Sequence, residues 1–251
     1  MKRLKLYGFN NLTKALSFNI YDVCYAETSA EQQAYIDYID EQYNADRLTD
    51  ILLHVTEMIG AHVLNVSKQD YDPQGASVTC LIAEQQLARY GSDTLVAHLD
   101  KSHVTVHTYP EFHPENHLAT FRVDIDVATC GEITPLSTLD YLISSFDSDV
   151  ITMDYRVRGF TRDIHGNKVY LDHPVHSIQD YIASPTLAKY DVDDMNVPHA
   201  NLFHTRMRLK DLPLENYVFD MDLADVSSLK KEQMLAALHV EMEEIFHGTG
   251  V

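Results

Sequence analysis

Within ten positions the chain places a hydroxyl, two imidazoles and a carboxylate: Ser102-His103-Val104-Thr105-Val106-His107-Thr108-Tyr109-Pro110-Glu111. Such a set can do nucleophilic or acid–base chemistry. A serine oxygen attacks a carbonyl once its proton is taken, and an imidazole titrating near neutrality can take it. Alternation puts His103, Thr105 and His107 on one face of an extended strand and Val104 and Val106 on the other. Pro110 cannot donate to a ladder, so the strand is expected to stop near Tyr109. The same pattern also fits an edge strand with one solvated face. No Gly-x-Ser-x-Gly elbow surrounds Ser102, which argues against a serine hydrolase of that type.

The flanking chain must hold this segment. Leu4–Asn10 and Ser17–Tyr25 read as strands with a turn at Asn10-Asn11. Ser29 followed by Gln32 has the form of a capping box, and Ile36, Ile39 and Tyr43 recur at helical spacing. Leu48, Ile51, Leu52, Val55, Met58 and Ile59 form a second helical stripe, stopped by Gly60. Ala61–Lys68 and Ala76–Ala83 read as strands around a turn at Asp70–Gly75, and Glu84–Thr94 as a surface loop. Phe121–Val127 alternates as a half-buried strand ended by Cys130-Gly131. Pro135–Ser145 predicts a helix, Val150–Arg158 a strand, Asp163–Asn167 a hairpin turn and Asn201–Leu209 a strand. Thr186–His199 reads as irregular. Ser227–Phe246 predicts an amphipathic helix with Leu235, Leu238, Met242 and Ile245 inward. Helices and strands mixed in this way predict a layered α/β or α+β fold. Without repeat, low-complexity segment or linker, residues 1–251 are expected to form a single domain.

Composition narrows the partners. The 251 residues carry a formal net charge of −19, whereas a nucleic-acid binder needs a basic surface. An acidic field favours cationic ligands, although solubility alone accounts for it. The three cysteines, Cys24, Cys80 and Cys130, are odd in number and include no CxxC, so neither a disulfide framework nor a zinc cage is expected. No long apolar run opens the chain, so neither a signal peptide nor a membrane span is expected, and the cytoplasm is the expected compartment.

Several motifs stand in order along nearly the whole chain: LKLYGFNNLTK at 4–14, QDYDPQGASV at 69–78, Lys101-Ser102-His103 with HTYPE at 107–111, Thr129-Cys130-Gly131, and DYRVRGFTRD at 154–163. Together they closely resemble the S-adenosylmethionine decarboxylase proenzymes, in the bacterial form found in gammaproteobacteria. The resemblance implies an α+β fold, an α/β sandwich of antiparallel sheets flanked by helices. Residues 84–94 look shortened beside that family.

Removing CO2 from an α-amino acid leaves an electron pair at Cα, which needs a sink. No pyridoxal-phosphate lysine or glycine-rich phosphate cradle can be identified here. The resemblance implies a pyruvoyl group made from Ser102. The Ser102 hydroxyl attacks the Lys101 carbonyl, and an N-to-O acyl shift gives an ester. β-Elimination then frees a β chain 1–101 from an α chain 102–251, and the new N-terminus of the α chain hydrolyses, with release of ammonia, to the pyruvoyl group in place of Ser102. Its keto carbon forms a Schiff base with the substrate amine. The resemblance also assigns His107 to processing, as base for the elimination, and Ser77 to support of processing. Cys130 would return a proton to the product, Tyr71 would stack on adenine, and Glu111 would accept hydrogen bonds from the ribose hydroxyls. It implies S-adenosylmethionine as substrate, an oligomer of αβ units and stimulation by magnesium. Asp124 with Asp126, or Asp191 with Asp193 and Asp194, could offer oxygen ligands, though such clusters are commonly solvated faces.

Three other readings fit parts of the pattern. A pyruvoyl enzyme could act on arginine or ornithine, but neither offers the adenine and ribose that Tyr71 and Glu111 would hold. An uncleaved binding subunit would have no need of Lys101-Ser102, His107 and Cys130. A hydrolase built on Ser102 would react with serine-directed phosphonates.

Overall fold

The computed structural model describes residues 5–7, 10–84, 102–113 and 115–250. Lys101, most of the expected loop at 84–94 and Leu4 lie outside the described residues.

Period-two burial dictates the fold. In β1 (Thr13–Tyr25), Lys14, Leu16, Phe18 and Ile20 are buried, and the residues between them are half-buried. The chain continues through α1 (Ser29–Gln42), α2 (Ala45–Met58), β2 (Ala61–Asp70), β3 (Ala76–Glu84), β4 (His103–His113) and β5 (Leu118–Cys130). A 3₁₀ turn at Pro135–Thr138 leads into α3 (Leu139–Ser145), then β6 (Val150–Arg158) and the short pair β7 (Thr161–Arg162) and β8 (Lys168–Val169). The last elements are α4 (Ser184–Leu187), β9 (Tyr190–Asp194), β10 (Leu202–Leu209) and α5 (Ser228–His247).

Eight strands form one sheet in the order β2-β3-β4-β5-β1-β6-β10-β9, and β7-β8 make a separate ribbon. All the pairings are antiparallel. This is an α+β architecture of antiparallel sheets flanked by helices, as expected, with the sheets very unequal in size. One face of the large sheet packs Leu16, Phe18 and Ile20 against Ile36 and Ile39 of α1, Leu48 and Leu52 of α2 and Leu142 of α3. Burying a side chain of this size is worth about 1.5–3 kcal/mol. At one end of the other face, Val23, Tyr25 and Val150 meet Met234, Leu238, Met242 and Phe246 of α5.

Several expectations need correction. Pro110 does not stop β4, which runs on to His113. β3 pairs with β4 only from His103 to His107, so Pro110 lies beyond that ladder and its missing N–H costs no pairing. Its carbonyl instead accepts from Gln74 Nε2. The capping box is Thr28 with Glu31, one residue earlier than expected, while Gln32 is buried and donates to the Ala26 and His113 carbonyls. Of Leu4–Asn10, the described residues contribute a single bridge, Leu6 to Asp163, rather than a strand. The segment expected to be irregular contains β9, which completes the sheet edge beside β10. In α5 the buried set is Met234, Leu238, Met242 and Phe246; Leu235 and Ile245 lie beside it, half-buried.

Candidate active site

Register decides which side chains can meet. β3 sets Ser77 opposite His107 of β4, and β5 sets Asp124 opposite His107 on the other side. Alternation then gives the face opposite α1–α3 a polar stretch: Ser77, His103, Thr105, His107, Tyr109 and Glu111, with Arg122, Asp124 and Asp126 beside them.

The expected residues fall into two groups. At the start of β4, Ser102 is 2% exposed, and its Oγ lies 3.3 Å from Sγ of Cys130, itself 8% exposed. The Ser102 carbonyl accepts from Ile82 N–H at 3.1 Å, which fixes its backbone to β3. Cys130 ends β5, and Gly131 follows at φ +77°, the left-handed conformation that glycine adopts without strain. Thr129 Oγ1 donates to the Ile133 carbonyl at 3.2 Å and closes this turn.

Further along the strand, His107 Nδ1 lies 3.4 Å from the Tyr71 hydroxyl, and its ring is stacked 6.4 Å from that of Tyr109. Tyr71 sits on a tight loop whose N–H donates to the Gly75 carbonyl at 2.8 Å. Asp40 accepts from Gly75 N–H at 2.9 Å and anchors the loop to α1. Five positions separate His107 from Ser102, about 16 Å of extended strand, so the structure does not bring these two together. Glu111 is exposed, four positions further on the same face.

The acidic residues suggested for magnesium are occupied by partners. Asp124 accepts from Asn19 Nδ2 at 3.1 Å and lies 3.2 Å from Arg122 Nε. Burial pushes its carboxyl up, against the pull of Arg122. Asp126 accepts from Ser17. Asp193 pairs with Arg206 at 2.8 Å, Asp191 with Arg208 at 3.3 Å, and Asp194 accepts from Thr205 at 2.6 Å. Among the described residues no three His, Cys, Asp or Glu side chains gather in a way that could hold a metal. These carboxylates do not fit a magnesium site.

A group the sequence reading did not single out lies directly behind Cys130. Lys14 is 1% exposed; its Nζ donates to Asp172 Oδ2 at 2.8 Å and to the Gly131 carbonyl at 3.1 Å. Asn10 Nδ2 makes the same two bonds, at 2.9 and 3.0 Å. His173 Nδ1 lies 2.7 Å from Asp172 Oδ1. Burial alone would raise the Asp172 carboxyl, but hydrogen bonds from His173, Lys14 and Asn10 and the Lys14 charge outweigh it and hold it well below the usual carboxylate range. The signal was present in the pattern: Lys14 shares its strand parity with Leu16, Phe18 and Ile20, and a lysine in phase with a core face must be paired.

A cavity of about 750 Å³ lies elsewhere, lined by Asp22, Tyr35, Asp149 and Tyr217 among others, and includes none of the expected site residues. No helix among the described residues is long and apolar enough to cross a membrane.

Comparison with known proteins places the chain in a family. Residues 32–159 match the S-adenosylmethionine decarboxylase family. The S-adenosylmethionine decarboxylase proenzyme of Clostridium botulinum (strain Alaska E43 / Type E3) is 61% identical over 99% of this chain and 97% of its own. That of Stenotrophomonas maltophilia (strain R551-3) is 57% identical over the same shares. The crystal structure of adenosylmethionine decarboxylase from Aquifex aeolicus VF5 aligns with 66% of this chain and 99% of its own, at 16% identity and a TM-score of 0.33, too distant to bear on the argument. With a family match across half the chain and relatives this similar across nearly all of it, the chain belongs to the S-adenosylmethionine decarboxylase family.

Proposed function

We propose that this chain is a pyruvoyl-dependent S-adenosylmethionine decarboxylase. It cleaves itself between Lys101 and Ser102 and converts S-adenosylmethionine to its decarboxylated form, the aminopropyl donor for spermidine. The observation that carries the reading is the buried contact of Ser102 Oγ with Cys130 Sγ at 3.3 Å. A serine hidden from water can undergo acyl shift and elimination without competing hydrolysis, and a thiol beside it can deliver a proton to the same spot.

When formed, the pyruvoyl group supplies the sink for the electrons that CO2 leaves behind. The chain does the rest. Cys130 holds the proton that returns to the α-carbon. Tyr71 offers a flat ring to adenine, and the exposed carboxylate of Glu111 accepts from the ribose hydroxyls. Ser77 and His107 face each other across β3 and β4 and are assigned to processing. Because His107 contacts Tyr71 and Tyr109 rather than Ser102, His107→Ala separates two duties. Loss of cleavage assigns it to processing; normal cleavage with a raised KM assigns it to holding Tyr71. The cleaved chains are expected to assemble into an oligomer of αβ units, and a native mass of one unit alone would contradict this.

The test is release of CO2 from carboxyl-labelled S-adenosylmethionine, arginine and ornithine by the purified chain. The reading predicts release from S-adenosylmethionine alone. Release from arginine or ornithine instead would move the enzyme to another substrate.

A further inference from the structure

The cluster behind Cys130 is built as a clamp. Two donors, Lys14 Nζ and Asn10 Nδ2, converge on one acceptor, the carbonyl of Gly131, at 3.1 and 3.0 Å. The same two donors also converge on one oxygen of Asp172, at 2.8 and 2.9 Å. The other Asp172 oxygen takes His173, whose Nε2 is buried without a partner among the described residues. Asn10 is locked in turn, because its Oδ1 accepts from Leu12 N–H at 3.2 Å, and Leu12 accepts from Gly131 N–H at 3.1 Å. Both polar groups of the Gly131 backbone are therefore held by the segment 10–14.

Resting on the functional reading above, we infer that Asn10, Lys14 and Asp172 are positioning residues for Cys130: they fix the turn that sets its sulfur against position 102. Three observations support this over a purely structural ion pair. Lys14 is 1% exposed and its partner Asp172 only 13%, so the pair is costly to desolvate, yet an apolar residue in place of Lys14 on the same strand face would fill the space without that penalty. Its hydrogen bonds end on the residue next to Cys130 rather than on a distant element. Cys130 is the last residue of β5, where β1 still pairs it with Thr13 but the ladder to β4 has ended at Ala128, so a proton donor there gains from another fixture. A shift of about 1 Å in such a donor is enough to slow a reaction on the order of a hundredfold.

The test compares the full-length chain with Asn10→Ala, which keeps the Lys14–Asp172 pair, and with Asp172→Asn. Each protein is treated with iodoacetamide while folded, and peptide mass spectrometry gives the alkylation rates of Cys24, Cys80 and Cys130 separately. The kcat and KM for S-adenosylmethionine are measured per cleaved chain. The clamp predicts at least a fivefold rise in the Cys130 rate with Cys24 and Cys80 unchanged, a kcat at least tenfold lower, and a KM within about twofold of the parent. A purely structural pair predicts parallel changes at all three cysteines and an unchanged kcat per cleaved chain, and either result overturns the inference. If Asp172→Asn does not fold, Asn10→Ala decides alone. A parent chain that neither cleaves nor decarboxylates would sink the functional reading, while the cysteine contrast would still judge the clamp.

Discussion

Ser102 and Cys130 are 28 positions apart in the chain and in contact in the fold, and that contact makes each of them more than an isolated reactive group. If Cys130 returns the proton, Cys130→Ala should still cleave at Ser102 and lose about 10²–10⁴-fold in kcat, the usual worth of a positioned acid. Unchanged turnover would move the proton to another donor. Tyr71→Ala and Glu111→Gln should raise KM, by about tenfold for the lost ring contact, with a smaller effect on kcat; a fall in kcat at constant KM would remove both from substrate binding. Ser102 and His107 drew notice by residue type and spacing, but the same pattern fits a solvated edge strand, and their proposed roles came from the family resemblance. Cys130 could not, since a cysteine at a strand end reads as a small buried hydrophobe, and only the Thr129-Cys130-Gly131 context marked it. Lys14 shows its parity only once the strand is carried back from Ser17 to Thr13, and the partner that makes sense of it, Asp172, is 158 positions away.

At the scale of elements, the loop between β2 and β3 carries the site as much as the strands do. Gly75 has φ +89°, and a Cβ there would stand 2.6 Å from the Thr108 carbonyl oxygen. That oxygen belongs to the β4 backbone and cannot swing away. Gly75→Ala should therefore cost about 1–3 kcal/mol and displace Tyr71, seen as a lower Tm together with a higher KM. A variant with the parent's Tm and KM would show that the loop does not position Tyr71. The turn itself was legible from its Pro and Gly, and β2 and β3 on either side of it from their β-branched residues. The length of β4 was not, because whether proline ends a strand depends on which neighbour its nitrogen would face. For Pro110 that neighbour is the Gln74 loop rather than a strand. Thr28 and Ser29 are both competent caps, and sequence alone does not choose between them.

The whole molecule keeps an acidic pair far from the chemistry. Burial first, then the charges of Asp149 and Asp147, push the Asp22 carboxyl well above its usual range despite a hydrogen bond from Tyr35. Burial pushes Asp149 up to about 6, against hydrogen bonds from Val23 N–H, Tyr217 and Asp22. A carboxyl whose pKa is raised by folding contributes stability below its ordinary pKa, and that contribution is lost as pH rises through the folded value. Stability should therefore fall as pH rises from the ordinary carboxylate value of 3.8 through about 6, where Asp149 titrates, with a further loss as Asp22 follows. Asp22→Asn puts a permanent N–H donor where the shared proton sits, so its advantage in Tm over the parent should grow across that range; parallel curves would contradict the assignment. Asp172 works in the opposite sense: its folded pKa is lowered, so its stabilisation is present above the ordinary carboxylate range and lost in acid. A layered α/β or α+β class and most strands were legible from the pattern, and the resemblance narrowed the class to α+β, whereas the order β2-β3-β4-β5-β1-β6-β10-β9 was not legible, because no local pattern fixes which strands become neighbours. The proposed activity depends on one bond, Lys101–Ser102, and the most direct measurement is the intact mass of the purified protein under denaturing conditions. Self-processing predicts two chains, one ending at Lys101 and one beginning with a pyruvoyl group at position 102. A single 28.6 kDa chain that stays whole on long incubation would contradict it and leave a binding subunit in place of a decarboxylase.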